Sequence, residues 1–91
     1  MEGDFVRNKI NMAIAGAKFL SKTIELDKQM KGMTDDEYQN NPIGLEIQPY
    51  VLDLRKHCPR MVVDIILDRQ YEMIDRLGEE YIKEYATMPY L

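Results

Sequence analysis

Apolar residues between Asp4 and Lys31 recur with the period of an α-helix. At about 100° per residue they form two adjacent stripes on one helix, wider together than the ~100° stripe of a surface helix. The first stripe holds Val6, Ile10, Ala13, Ala17, Leu20 and Ile24, and the second holds Phe5, Met12, Gly16, Phe19 and Met30. We therefore predict a helix over residues 4–31 that needs more than one neighbouring element.

A second helical pattern covers residues 60–86. Pro59 suits a helix start, and Pro89 cannot continue a helix. Gly78 costs about 1 kcal/mol relative to Ala inside a helix, so we expect a bend or a close contact there. Gln70 falls within the apolar face, and we expect it to bond a buried partner or to lie near an opening. The apolar face contains Val62, Val63, Ile66, Leu67, Met73, Ile74, Leu77, Tyr81 and Tyr85.

The connection between the two long helices contains one or two short helices. Gly32 is suited to end the first helix, and Thr34 with Glu37 forms the pattern of a capping box. This box predicts a short helix over residues 35–40. A proline in the first turn predicts another helix from Pro49 to about His57.

The segment before Pro49 allows two interpretations. Ile43, Leu45 and Ile47 alternate with non-apolar residues, which is the period of a strand. Because no second strand is evident to pair with it, we interpret it as an extended segment packing three aliphatic side chains onto the first helix. The alternative is a helix beginning at Pro42 and kinked at Pro49.

These elements predict an all-α fold with two long antiparallel helices, at about 4–31 and 60–86, in a single domain over residues 1–91. Charge supports the pairing of the helices. Residues 1–33 carry a balance of +2, whereas residues 34–57 and 58–91 carry −3 each, giving −4 for the chain. The net negative charge disfavours nucleic acid and anionic membranes as partners. No apolar run approaches the ~18 residues needed for a membrane span.

The sequence gives weak indications of compartment. A single cysteine excludes an internal disulfide and fits a reducing environment. The acidic start, with Glu2 and Asp4, differs from the basic start of a secretory signal, and Glu2 excludes N-myristoylation. We therefore expect no export by that route and a cytoplasmic location.

One cluster of residues, around Cys58, could form a reactive site. Arg55, Lys56, His57 and Arg60 surround Cys58 in sequence, and nearby cations lower a thiol pKa and raise its reactivity. This pattern supports a small enzyme or redox sensor that uses Cys58 with His57. The preferred interpretation is a buried cysteine at a helix junction, since free cysteines are among the most buried residues.

No other catalytic or ligand-binding set is evident. One His and one Cys cannot supply a tetrahedral zinc site within a chain, and no phosphate-binding glycine loop is present. We expect no cofactor and no metal, and we leave open whether the chain is an enzyme while favouring a non-catalytic role.

The favoured function is a small acidic helical protein–protein interaction module: an adaptor, an assembly chaperone, or a binding inhibitor or regulator. Met61 and Ile65 fall on the charged side of the second long helix, and one partner helix cannot cover both stripes of the first. We therefore predict a homodimer, with a four-helix arrangement formed by two copies. The predicted interaction residues are Met12, Phe19, Met30, Met61 and Ile65. A further alternative is an acidic nucleic-acid mimic using the face over residues 64–84.

Overall fold

The computed structural model describes residues 2–40 and 42–91, and within them the chain is helical throughout its regular structure. The elements are α1 (Glu2–Met30), α2 (Asp35–Asn40), a 3-10 helix (Pro42–Ile47), α3 (Gln48–His57), α4 (Arg60–Asp68), α5 (Gln70–Leu77) and α6 (Glu79–Ala86). No strand occurs in the described ranges. The predicted all-α class is confirmed.

Helix α1 is the central element, and it packs mainly against α6 and α3. It ends before Gly32, whose φ of +88° is accessible to glycine at little cost. Helix α6 runs antiparallel to α1. At one end Lys28 Nζ lies 3.2 Å from Glu79 Oε2, and at the other the Leu91 N–H donates to Asn11 Oδ1 at 2.9 Å.

Helix α3 is also antiparallel to α1. Lys22 Nζ lies 5.7 Å above the Tyr50 ring near the start of α3, and Cys58 Sγ lies 3.8 Å from the Met12 carbonyl oxygen at its end. Between these contacts Leu54 is completely buried. The helix predicted from Pro49 is thus present, beginning one residue earlier.

The segment before α3 corrects the interpretation of an extended chain. Residues Pro42–Ile47 form a 3-10 helix, which satisfies backbone groups locally where no strand is available to pair with them. Leu45 is 66% exposed and Ile47 is half-buried, so the expected aliphatic packing holds at most in part. The side chain of Ile43 lies outside the described part of the chain. The predicted cap of α2 is present, with the Glu37 N–H donating to Thr34 Oγ1 at 3.2 Å.

Residues 60–86 differ from the single helix predicted, because they form three helices, α4, α5 and α6. The second break is at Gly78, where φ is +85° and ψ is 146°. The first is at Arg69, with φ of −114° and ψ of 24°. Of these three helices, α6 runs antiparallel to α1. Helix α4 instead follows α1 in the same direction, because Ile66 lies beside Gly16 and Gln70, just after α4, bonds Thr23.

The side chain of Gln70 makes two hydrogen bonds at the first break. Its Nε2 donates to the Leu67 carbonyl oxygen at 3.2 Å, in competition with the backbone ladder of the helix. Its Oε1 accepts a hydrogen bond from Thr23 Oγ1 at 3.1 Å, and Thr23 is buried. The expectation that Gln70 bonds a buried partner is confirmed, and that bond ties the break to α1.

The core is built around the middle of α1. Its buried residues come from α1, α3, α4 and α6, together with the α3–α4 corner: Ala15, Phe19, Leu20, Ile24, Leu54, Cys58, Val63, Ile66 and Ile82. Residues 3–9 of α1 are all exposed, including Phe5 at 62% and Val6 at 53%. The core therefore leaves the first two turns of α1 without cover.

Candidate interaction surface

An open apolar groove runs between α1 and the three helices α4, α5 and α6. Its volume is about 410 Å³. Its lining is almost entirely apolar or aromatic, with Lys9 as the charged member: Lys9, Met12, Ala13, Gly16, Ala17, Leu20, Val62, Ile65, Ile66, Met73, Leu77, Tyr81, Ile82 and Tyr85. We call this surface the apolar groove.

Small residues of α1 form the floor of the apolar groove. Ala13, Gly16 and Ala17 project little from the helix, so the neighbouring helices do not fill the space above them. A Cβ added at Gly16 would meet only Ile66 Cδ1, at 3.7 Å, which is an ordinary contact distance. The groove therefore lies over small side chains of α1 and is lined by residues on both sides of each helix break.

The rim of the apolar groove exposes large apolar side chains. Ile65 is 44% exposed, and Leu77 and Tyr81 are each 46% exposed. The Tyr81 and Tyr85 rings lie 4.8 Å apart. The hydrogen bond with Tyr85, with burial as a smaller cause, raises the pKa of Tyr81.

The apolar surface extends beyond the groove along α1. Lys9 Nζ lies 4.7 Å above the ring of Phe5, one turn earlier in the helix, and Val6 is exposed beside it. Because Lys9 also lines the groove, the exposed Phe5 and the uncovered first turns of α1 adjoin the apolar groove through this lysine. Contiguous exposed apolar patches of this kind usually mark contact sites.

The structure brings together only some of the predicted interaction residues. Met12 and Ile65 both line the apolar groove, and Met61, 74% exposed, shares an adjoining surface depression with Ile65. Met30 is half-buried and lines a smaller pocket on another face of α1. Phe19 is 2% exposed because α1 turns it into the core, so it is not part of the surface proposed below.

Sequence reasoning did not identify the part of the surface that comes from α5 and α6. The helical period places Leu77, Tyr81 and Tyr85 on the apolar face of one continuous helix. The available signal was Gly78 within that helix, since a bend there opens the face on either side of it. The periodicity itself gave no indication of how far the helices would separate.

The environment of Cys58 argues against a reactive thiol. The side chain is 7% exposed, and burial raises its pKa, with the Asp53 carboxylate raising it further. Arg55 and Arg60 line a cleft that reaches Cys58, but their charges do not reverse these effects. The predicted lowering of the thiol pKa by neighbouring cations is therefore wrong.

His57 is part of a different cluster. Its ring stacks on Tyr90 with centroids 4.3 Å apart, and its Nε2 lies 3.6 Å from Asp53 Oδ1. The Tyr90 hydroxyl donates a hydrogen bond to Asp53. Lys18 Nζ lies 4.0 Å from the centroid of the Tyr90 ring. In the described ranges no hydrogen bond joins His57 to Cys58. The cluster holds residues 87–91 against α1 and α3.

Within residues 2–40 and 42–91, no three His, Cys, Asp or Glu side chains are grouped so that they could hold a metal ion. Among the helices of the same ranges, none combines the length and the apolar character that crossing a membrane requires.

Comparison of the chain with models of known protein families, with curated proteins and with solved structures finds no match.

Proposed function

We propose that this chain is a small non-catalytic protein–protein interaction module, of the adaptor, assembly chaperone or binding-regulator kind, and that it self-associates as a homodimer. The observation that carries the proposal is the apolar groove, which adjoins the uncovered first turns of α1. A cytoplasmic location is part of the same proposal, based on the single cysteine.

The total exposed area supports a second copy as the occupant. A monomeric protein of 10.7 kDa is expected to expose about 5500 Å². This chain exposes 6720 Å². The difference of about 1200 Å² is comparable to the ~800 Å² that each partner buries in a standard interface. A two-fold dimer would remove an area of the right size.

Charge gives the second argument for a homodimer. In the first turns of α1, Arg7 is paired with Asp4 at 3.0 Å, which leaves Lys9 as the cation without an ion pair in the described part of the chain. On α4, Asp64 and Asp68 flank Ile65, with Arg60 and Arg69 lining the same depression. In a two-fold dimer the start of α1 in one copy would lie along the groove of the other, with Lys9 near Asp64 and Asp68. Such charges favour correct docking and fast association more than they add affinity.

Burial of Cys58 disfavours the alternative of a redox sensor or small enzyme. A nucleophilic thiol must be both accessible and ionised, and this one is 7% exposed with a raised pKa. His57, its suggested partner, instead contacts Asp53 and Tyr90.

Analytical ultracentrifugation across a concentration series tests the proposal. We expect a dimer mass for the wild type and a monomer mass for Ile65→Glu, because a carboxylate at the groove rim would be buried without a partner. Ile65 is 44% exposed, so the folded monomer should tolerate the change.

The matched control is Leu52→Glu, which places the same charge at an aliphatic residue of α3 that is 62% exposed and distant from the groove lining. This variant should remain dimeric. A wild-type monomer mass at the highest concentration would contradict the homodimer, and equal loss of the dimer in both variants would contradict the groove as its interface.

A further inference from the structure

A second cleft lies on the opposite face of α1 from the apolar groove. Lys18, Ser21 and Lys22 line it from α1, Tyr50 from α3, and Lys83 and Thr87 from the end of α6 and the residue after it. Its volume is about 550 Å³. At 100° per residue, the α1 positions lining this cleft point about 180° away from those lining the groove. The two surfaces are therefore independent.

The charges of the cleft are not balanced. Lys22 Nζ lies 3.4 Å from Glu25 Oε2, and Glu25 also lines the cleft. Neither Lys18 nor Lys83 has a carboxylate within 4.0 Å in the described part of the chain. Three ammonium groups and one carboxylate leave a local excess of positive charge in a chain whose net charge is −4.

Two aromatic rings position the ammonium groups. Lys18 Nζ lies 4.0 Å above the Tyr90 ring, and Lys22 Nζ lies 5.7 Å above the Tyr50 ring. The Lys22 side chain is only 14% exposed, so its position is restricted by packing. Restricting a lysine before a ligand arrives reduces the entropy lost on binding.

The backbone of α6 does not supply the missing counter-charge. Carbonyl groups at a helix C-terminus attract cations, but here they are occupied. The Thr87 N–H donates to the Lys83 carbonyl oxygen at 3.2 Å, and Thr87 Oγ1 donates to the Glu84 carbonyl oxygen at 2.8 Å. The Met88 N–H donates to the Tyr85 carbonyl oxygen at 3.1 Å.

We propose that this cleft binds a phosphate group carried by a small molecule. A phosphate offers two negative charges and several acceptor oxygens, which suits a cleft lined by lysines from both α1 and α6. The Ser21 hydroxyl lines the same space and supplies a further donor. The Tyr50 ring forms an apolar wall for the remainder of the ligand. A carboxylate, with one charge, would leave part of the positive excess uncompensated.

Titration with inorganic phosphate and with pyrophosphate, followed by two-dimensional amide NMR at constant ionic strength, tests the proposal. We expect saturable shifts for residues 18–25, 50 and 83–87, and tighter binding of pyrophosphate because it carries more charge. Lys18→Gln and Lys83→Gln should each weaken binding by about fivefold, the equivalent of the ~1 kcal/mol of a partly exposed charge pair.

Lys56→Gln is the matched control, since Lys56 is an exposed lysine of α3 outside the cleft. It should bind phosphate as the wild type does. Shifts that do not saturate, or equal weakening in all three variants, would overturn the proposal. Repeating the titration with Ile65→Glu distinguishes phosphate binding from dimer formation. This variant should bind phosphate whether or not it self-associates.

Discussion

At the position of Cys58, three features determine how readily the thiol loses its proton: the surrounding core, the Met12 carbonyl oxygen and the Asp53 carboxylate. The thiol donates to the carbonyl oxygen at 3.8 Å, and both burial and the carboxylate favour its neutral form. The environment of Tyr90 also favours the neutral form of its side chain. Burial first, and then its hydrogen bond to Asp53, raise the pKa of the Tyr90 hydroxyl. Loss of the proton from either group therefore destabilises the folded state.

These two shifts predict that the protein loses stability in alkali. In the unfolded chain a cysteine ionises near pH 8.5 and a tyrosine near pH 10. Because the folded pKa values are higher, the unfolded state releases its protons first as the pH rises. The free energy of unfolding should therefore be fully retained below about pH 8.5 and should fall as the pH rises above it.

Urea denaturation at several pH values between 7 and 10.5 measures this effect. Cys58→Ala and Tyr90→Phe should each lower stability at pH 7. Because each removes one titrating group, Cys58→Ala should reduce the decline above about pH 8.5, and Tyr90→Phe should reduce the decline from about pH 10 upwards. Stability that increases over this range in the wild type would contradict the assigned directions of both shifts.

Some helix boundaries could be predicted from neighbouring residues in the sequence, whereas others involve contacts between residues that are distant in the sequence. The end of α1 at Gly32 and the cap of α2 at Thr34 depend on residues a few positions apart, so the sequence was sufficient to predict them. The break at Arg69 was not predicted. The Gln70 side chain at this break bonds Thr23, which lies 47 residues away in the sequence and comes near only in the fold. Without a tertiary position for Thr23, Gln70 could be recognised only as a polar residue that needed a partner.

The break at Gly78 gives a direct test at this scale. Its φ of +85° and ψ of 146° lie in a region that is nearly exclusive to glycine, and no heavy atom lies within 4 Å of an added Cβ. The cost of Gly78→Ala should therefore come from the backbone alone, on the order of 1–3 kcal/mol of unfolding free energy.

Gly16→Ala is the internal comparison. Gly16 has ordinary helical geometry within α1, and the new methyl group would meet Ile66 Cδ1 at 3.7 Å without a clash. It should stabilise the protein by up to about 1 kcal/mol in thermal or urea unfolding. A neutral Gly78→Ala would mean that α5 and α6 can merge without loss of the fold.

The whole molecule is longer than a compact domain of its size. Its radius of gyration is 14.3 Å, compared with about 12 Å expected for 91 residues, and its longest dimension is 51 Å. The width of the apolar arc on α1 predicted an excess of apolar surface. The place where that surface remains uncovered could not be predicted, because it depends on how the three helices of residues 60–86 separate.

The exposed first turns of α1 lead to the last prediction, which concerns amide hydrogen exchange. Isolated short helical segments are marginally stable in water, and residues 3–9 have no neighbour that covers them. In dilute protein these amides should exchange far faster than those of residues 14–24, where Ile14, Phe19 and Leu20 are buried.

If the start of α1 occupies the groove of a second copy, its exchange should slow as concentration rises through the association range. The slowing should be absent in Ile65→Glu and retained in Leu52→Glu. Rapid exchange of residues 3–9 at concentrations where the mass is dimeric would place the start of α1 outside the interface and would contradict this docking arrangement.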